Sequence, residues 1–227
     1  MAPAFDAVSL DVGGVLVVPD HGFLALVLDR CGATYDRARF WPAHWEAMAA
    51  VDAALSQPED FTDYLHGFLA AAAVPEADRP RAHDALAEVL ATPVWNQPVP
   101  GSRTGIRALH DAGLALAVTS NSDGTIEDHL RRHEWLQVGD GPGVPVAVVT
   151  DSGLVGVGKP DPLVYAATLE GLGVAPERVL HVGDSVHYDV DGAAACGLQS
   201  VHMDPFDVCP SRDHRHVRTL AEVLELS

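Results

Sequence analysis

The stretch Ala7–Val18 reads AVSLDVGGVLVV. An apolar run leads into one carboxylate, Asp11; Gly13 and Gly14 follow, and then a second apolar run. The first run reads as a buried strand and the paired glycines as a sharp turn just past it. A carboxylate at the carboxyl end of a buried parallel strand sits where open α/β sheets bind their ligands. Taken alone, Asp11 also suits a strand-ending residue that caps a turn. What decides between the two lies further along the chain.

Downstream, strands and helices alternate. Leu114–Thr119 (LALAVT), Pro145–Thr150, Arg178–Val182 and Gln199–Met203 read as strands. Thr104–Asp111, Asp123–Arg132 (capped near Ser122 or Asp123), Pro162–Leu172, Val186–Cys196 and Val217–Leu226 read as helices. Near-continuous apolar strands between helices predict a parallel sheet covered on both faces. Right-handed crossovers then bring Asp11 and the loops after the other strands to one edge. From Phe23 to Leu90 the spacing is helical instead, in four segments, with Pro75 and Pro80 marking a break before the fourth. No strand pattern interrupts this block, and the proline-rich run Thr92–Gly101 reads as the linker back to the sheet.

Composition narrows the function. The 227 residues are 48% hydrophobic, and 14 basic against 32 acidic residues give a net charge of −18. That balance argues against nucleic acid or an anionic membrane as partner. It leaves room for an anionic small substrate, because a bound cation reverses the local field. Cys31, Cys196 and Cys209 are odd in number and widely spaced, which predicts reduced thiols and a cytoplasmic protein. No signal-peptide pattern opens the sequence, and no apolar run is long enough to cross a bilayer. A monomer or homodimer is expected.

Three loops at the predicted edge carry chemistry. Ser120-Asn121-Ser122 offers a hydroxyl, an amide and backbone N–H groups at a helix start, which suits an anion as well as it suits an ordinary cap. In GVGKPDP, Lys159 is a point charge between Gly158 and Pro160. Gly153–Lys159 mimics the GxxxxGK of a nucleotide-binding P-loop, but Pro160 replaces the metal-binding hydroxyl, so that reading is rejected. HVGDSVHYDVDGAAACG places Asp184 directly after a strand, with Asp189 and Asp191 within two helical turns. Carboxylates converging from two strand ends make an oxygen-rich site for a hard cation such as Mg²⁺.

An Asp, a Ser-Asn, a Lys and an Asp-rich turn thus follow four strands in that order. Over nearly its whole length the chain resembles the haloacid dehalogenase-like hydrolases, through DVGGVL from Asp11, TSN through Ser120 and Asn121, VGVGKPDP through Lys159, and VGDSxxxDxxGA from Asp184 to Ala193. The resemblance implies a Rossmann-like three-layer α/β core over residues 1–18 and 94–227, with a helical cap domain over 19–93 inserted after the first strand. It implies that Asp11 is the nucleophile toward a phosphate monoester, forming an aspartyl-phosphate. Mg²⁺ would be held by Asp11, Asp184 and the Gly13 carbonyl. Lys159, Ser120 and backbone N–H groups around Val12, Gly13 and Asn121 would hold the phosphoryl group. Asp189 would orient Lys159 or a water on the metal.

Gly13 departs from the pattern. Phosphatases of this family usually carry a second Asp there as general acid and base, a role worth roughly 10²–10⁴ in rate. Either the leaving group needs little protonation, as in an anomeric sugar phosphate or an acyl phosphate; or Asp20, His21 or a water substitutes; or turnover is slow or absent. The expectation is a Mg²⁺-dependent phosphatase of a small phosphorylated metabolite. The alternatives are cleavage of another bond, as in a 2-haloacid dehalogenase or a phosphonatase-like enzyme, and a weak or inactive module that binds a ligand or partner. The aromatic run Phe40–Trp45 reads as packing more than as a pocket. Asp213-His214-Arg215-His216 reads as a solvated connector before the last helix, and Cys196 as a small packed residue.

Overall fold

A computed structural model describes residues 4–55, 61–90 and 92–226. In chain order, β1 (Ala7–Leu10) and β2 (Val17–Pro19) precede four helices, α1 (His21–Arg30), α2 (Phe40–Ala54), α3 (Thr62–Ala71) and α4 (Arg79–Leu90). Then come β3 (Trp95–Pro98), α5 (Ser102–Asp111), β4 (Ala115–Ser120), α6 (Ile126–Arg132), β5 (Leu136–Val138), β6 (Val144–Val146) and β7 (Val148–Asp151). The rest comprises α7 (Ser152–Val155), α8 (Pro162–Leu172), β8 (Val179–Gly183), α9 (Gly192–Ala195), β9 (Gln199–Met203) and β10 (His216–Val217).

The chain divides into two compact units. One comprises Met1–Leu16, Pro100–Met203 and Ser211–Ser227; the other comprises Val17–Val99 and Asp204–Pro210. The return of residues 204–210 to the helical unit is not signalled in the sequence.

The first unit holds a six-stranded sheet ordered β10-β9-β8-β1-β4-β7, every pair parallel. All four residues of β1 are buried, because the strand is flanked by β4 on one side and β8 on the other. The chain runs from β1 out to β4 and β7 and then crosses back to β8, β9 and β10 on the other side of β1, so the carboxyl end of β1 is the switch point where such sheets leave a crevice. This is the predicted Rossmann-like α/β fold. Several boundaries differ from the sequence reading. The span 145–150 is two strands: β6 pairs with β5 in a separate small sheet, and β7 joins the main one. The last segment is not one helix; β10 precedes a short tight turn over Leu220–Glu225.

In the second unit the aromatic positions of α2 and α3 face each other. Phe40 and Phe68 are buried with ring centroids 5.4 Å apart, and His44 Nδ1 lies 2.9 Å from the Tyr64 hydroxyl. The run Phe40–Trp45 is therefore packing, as read from sequence. Pro80 does not break α4 but sits in its first turn, where the missing N–H costs nothing. The expected linker contains β3, which pairs antiparallel with β2, so the helical block is tied off by a two-stranded ribbon.

Candidate active site

The sheet register sets the site. Leu10 pairs with Val118 of β4 and with Val182 of β8. Asp11 therefore leaves the sheet beside Thr119 and Gly183, with Ser120 and Asp184 one residue further along. Its backbone N–H still donates to the Val182 carbonyl at 2.9 Å, which fixes where the side chain starts.

Carboxylate oxygens of Asp11, Asp184 and Asp189 lie within 4.8 Å of one another, all three residues buried. Lys159 Nζ stands 3.0 Å from Asp11 Oδ1 and 2.6 Å from Asp189 Oδ1, with only 2% of its side chain exposed. Gly14, at φ +61°, admits this approach: a Cβ there would lie 2.0 Å from Asp184 Oδ2. Gly183 does the same for Asp189, whose Cγ would lie 2.0 Å from a Cβ at that position. Each glycine is where a side chain would displace a carboxylate.

The three carboxylates differ in their engagements. Asp189 Oδ1 also meets His181 Nε2 at 2.9 Å, and its Oδ2 accepts the Ser185 N–H at 3.1 Å. Ser185 in turn caps Tyr188 N–H at 2.9 Å, and its carbonyl accepts from both Asp189 and Val190. The predicted helix over Val186–Cys196 thus opens as a wide i→i+5 turn through Asp191 before α9. Such a turn re-aims a side chain, here Asp189. Burial alone would raise the pKa of Asp189; the Lys159 charge and the His181 hydrogen bond outweigh it and hold the group below the usual carboxylate range. Its oxygens are thus spent on Lys159, His181 and Ser185.

Asp11 is the opposite case. Burial raises its pKa to about 6, opposed by Lys159 and reinforced by Asp189 and Asp184. For Lys159 burial works against the charge, but Asp11 and Asp189 more than compensate and push its pKa above the ordinary lysine value. Three buried carboxylates against one ammonium leave an excess of negative charge that a dication would balance. The clustered carboxylates offer hard oxygens only, which fits Mg²⁺; the Gly13 carbonyl is the backbone oxygen expected to join them. That carbonyl accepts the Val15 N–H at 2.7 Å and retains a second lone pair.

Asn121 belongs to the Lys159 loop. Its Oδ1 accepts the Lys159 N–H at 2.7 Å and its Nδ2 donates to the Lys159 carbonyl at 3.1 Å. The anion-binding helix start expected at Ser120-Asn121-Ser122 is not there. The helix begins three residues later than read, at Ile126, and the buried Asp151 carboxylate already accepts from the N–H groups of Gly124, Ile126 and Gly153. Ser120 is buried at the end of β4. Asp191 follows in the wide turn outside the carboxylate group.

Sequence reasoning missed His181. It is fully buried on β8, paired in register with Ser9, and its Nδ1 lies 3.0 Å from Ser9 Oγ. From Ser9 a buried hydroxyl chain runs to Thr119 (2.7 Å), Thr168 (2.7 Å) and Thr150 (2.8 Å). A carboxylate only accepts, so His181 Nε2 donates to Asp189 and Nδ1 accepts from Ser9 when the ring is neutral. The available signal was Ser9 and His181, the one polar residue in each of two adjoining apolar strands, at the same level.

The proposed stand-ins for the missing acid lie in the helical unit. Asp20 caps α1, accepting the Phe23 N–H at 2.7 Å. Burial, with His44 adding to it, lowers the pKa of His21 to about 4; its Nδ1 lies 3.2 Å from Gln97 Nε2. His21 is therefore neutral near pH 7 and has no proton ready to give as an acid.

A family model of haloacid dehalogenase-like hydrolases matches residues 5–197. The chain belongs to that family. A phosphoserine phosphatase of Thermus thermophilus is 32% identical over 219 residues, covering 89% of this chain and 82% of the relative. Two solved structures share the fold at low identity. A phosphatase of the family from Thermococcus onnurineus superposes with TM-score 0.57 at 18% identity, over 97% of each chain. A 2-haloacid dehalogenase from Pseudomonas syringae superposes with TM-score 0.56 at 17% identity, over 98% of this chain and 97% of that one. The family match and the near-full-length likeness to a phosphatase make this chain a hydrolase of the phosphatase type.

Proposed function

We propose that the enzyme hydrolyses the phosphate monoester of a small metabolite with Mg²⁺ as cofactor and Asp11 as nucleophile. The observation that carries this reading is the Asp11 carboxylate at the switch point of the sheet, 3.0 Å from Lys159 and grouped with Asp184. Mg²⁺, held by Asp11, Asp184 and the Gly13 carbonyl, would offset the repulsion between a carboxylate and a phosphate dianion. An Asp11 oxygen attacks phosphorus, the ester P–O bond breaks, and the leaving oxygen takes up a proton. Water then attacks phosphorus of the aspartyl-phosphate, releasing phosphate and restoring the carboxylate. Lys159 neutralises phosphoryl oxygens from the position that Asp189 and Asn121 give it. The Ser120 hydroxyl and the backbone N–H groups of Val12, Gly13 and Asn121 hold the rest of the group; the Asn121 side chain is already committed to the loop.

Gly13 supplies no acid, so the substrate we favour has a leaving group that needs little protonation, such as an anomeric sugar phosphate or an acyl phosphate. The inserted helical unit serves as the cap that selects the metabolite. The same glycine favours a second reading, a module that binds a phosphorylated ligand without turnover. Phosphate release from a panel that includes sugar phosphates and phosphoserine, with and without Mg²⁺, separates these. Metal-dependent release that is lost in Asp11→Asn supports the proposal. Halide release from 2-haloacids without metal, or ligand-induced stabilisation with no release, overturns it.

A further inference from the structure

Three histidines meet on the far side of β8 from β1. His202 of β9 pairs in register with His216 of β10, and His214 lies two residues before it, in the loop that leads into β10. Ring centroids are 5.3 Å apart for His202–His214, 5.1 Å for His202–His216 and 4.5 Å for His214–His216. The segment read from sequence as a solvated connector thus runs into the edge strand β10 of the main sheet. We propose that His202, His214 and His216 form a second metal site, selective for a borderline transition-metal cation such as Zn²⁺ and distinct from the carboxylate site.

The geometry supports ligation. Candidate ligand nitrogens of the three rings lie within 4.8 Å of one another. His202 Nδ1 and His214 Nε2 are 3.2 Å apart, close to the edge of about 3.3 Å that two ligands span around a tetrahedral Zn²⁺ with Zn–N near 2.0–2.1 Å. The opposite nitrogen of His202, Nε2, lies 3.0 Å from the Asp184 carbonyl. A ligating histidine commonly donates its second N–H to such a carbonyl, which fixes the tautomer and aims the other lone pair at the metal. Imidazole donors suit Zn²⁺, Cu²⁺, Ni²⁺ or Co²⁺, whereas the all-oxygen set at Asp11 and Asp184 suits Mg²⁺. Two sites of different softness can then be filled independently.

The consequences are structural and catalytic. A cation on these rings pins the two-residue strand β10 to β9. It also fixes the imidazole that holds the backbone of Asp184, so its loss is felt at the carboxylate site.

The test uses the full-length protein with Mg²⁺ in large excess. Zn²⁺ is titrated and its stoichiometry measured by elemental analysis after dialysis, and Co²⁺ replaces it for the visible absorption spectrum. The expected result is one Zn²⁺ per chain and a Co²⁺ spectrum of a nitrogen-ligated low-coordinate centre, both retained in Asp11→Asn. His214→Gln with His216→Gln weakens binding by at least about tenfold, and His202→Gln alone does the same, with circular dichroism confirming the fold of each. Failure to retain Zn²⁺, or retention that survives the histidine substitutions and disappears in Asp11→Asn, overturns the proposal.

Discussion

His181 Nε2 lies 2.9 Å from Asp189 Oδ1, entirely inside the protein. The contact joins the buried hydroxyl chain of Ser9, Thr119, Thr168 and Thr150 to the carboxylate that holds Lys159. Replacing His181 by Phe fills the space but removes the donor. A hydrogen bond to a buried charge is worth roughly 1.5–3 kcal/mol. His181→Phe is expected to lose about that much stability in urea unfolding and to lower kcat more than it raises KM, because Lys159 loses its fixed position. His181→Gln, which can still donate, should recover part of kcat. Equal kcat in the Phe and Gln variants would show that the contact has no positioning role.

Lys159 neutralises two carboxylates at once, at 3.0 Å from Asp11 and 2.6 Å from Asp189. Lys159→Met keeps the bulk and leaves both acids buried without their cation. Breaking a buried pair from one side costs about 3–5 kcal/mol. The cost should grow as the pH rises past 6, where Asp11 ionises in the parent but has lost the cation that favours its ionisation in the variant, and should shrink as the pH falls and Asp11 is protonated in both. Denaturant midpoints across that range check the slope, and phosphate release should fall below detection.

The sequence is informative where one residue settles a local choice. Asp11 between two apolar runs, Gly14 and Gly183 beside carboxylates, and Lys159 in its loop are all placed by local pattern. The elements that were misjudged depend on distant partners. The start of α6 is set by Asp151, on another strand, whose carboxylate captures the N–H groups that Ser122 or Asp123 was expected to cap. β3 exists because β2 pairs with it, and β10 because β9 does; residues 95–98 and 216–217 have too little periodicity to announce themselves. His181 gives no local signal in sequence because its partners, Ser9 and Asp189, are 172 and 8 residues away and converge only through the sheet and the wide turn.

Asp11 gives the metal-free protein a distinctive dependence on pH. Its pKa is about 6 in the folded chain against 3.8 unfolded, so the folded state binds the proton more tightly. The stabilisation this brings is fully present below pH 3.8 and is lost as the pH rises through 6. Above that point ionised Asp11 is a net cost to the metal-free fold, on the order of 3 kcal/mol at about 1.4 kcal/mol per unit. Asp11→Asn should therefore melt a few degrees higher than the parent at about pH 7.5 without metal, with the difference vanishing toward pH 4. Mg²⁺ should raise the melting temperature of the parent well above its effect on Asp11→Asn. A variant less stable than the parent at pH 7.5 would reverse the sign assigned to this group. The contribution of Asp189 has the opposite sense: its folded pKa is depressed, so its stabilisation persists above 3.8 and is lost only as the pH falls through the lower folded value.

Gly13 invites a gain-of-function test. Gly14 needs its glycine, with φ at +61° and Asp184 against it, whereas Gly13 lies outside the residues of positive φ. Gly13→Asp would place an acid two residues after Asp11. General acid help matters in proportion to how poorly the leaving group departs, so the gain should depend on the substrate. With an alkyl phosphate monoester, whose alkoxide must be protonated, kcat should rise by roughly 10²-fold. With an acyl phosphate or p-nitrophenyl phosphate the change should stay within a few fold, because the leaving group departs unaided. The new carboxylate also adds negative charge beside Asp11 and Asp184, so the Mg²⁺ requirement should sharpen and the metal-free protein should lose stability. Rates on a leaving-group series, plotted against leaving-group pKa, provide the check: the slope should flatten in Gly13→Asp. An unchanged slope with uniformly lower rates would mean that the turn after Asp11 does not aim residue 13 at the leaving oxygen.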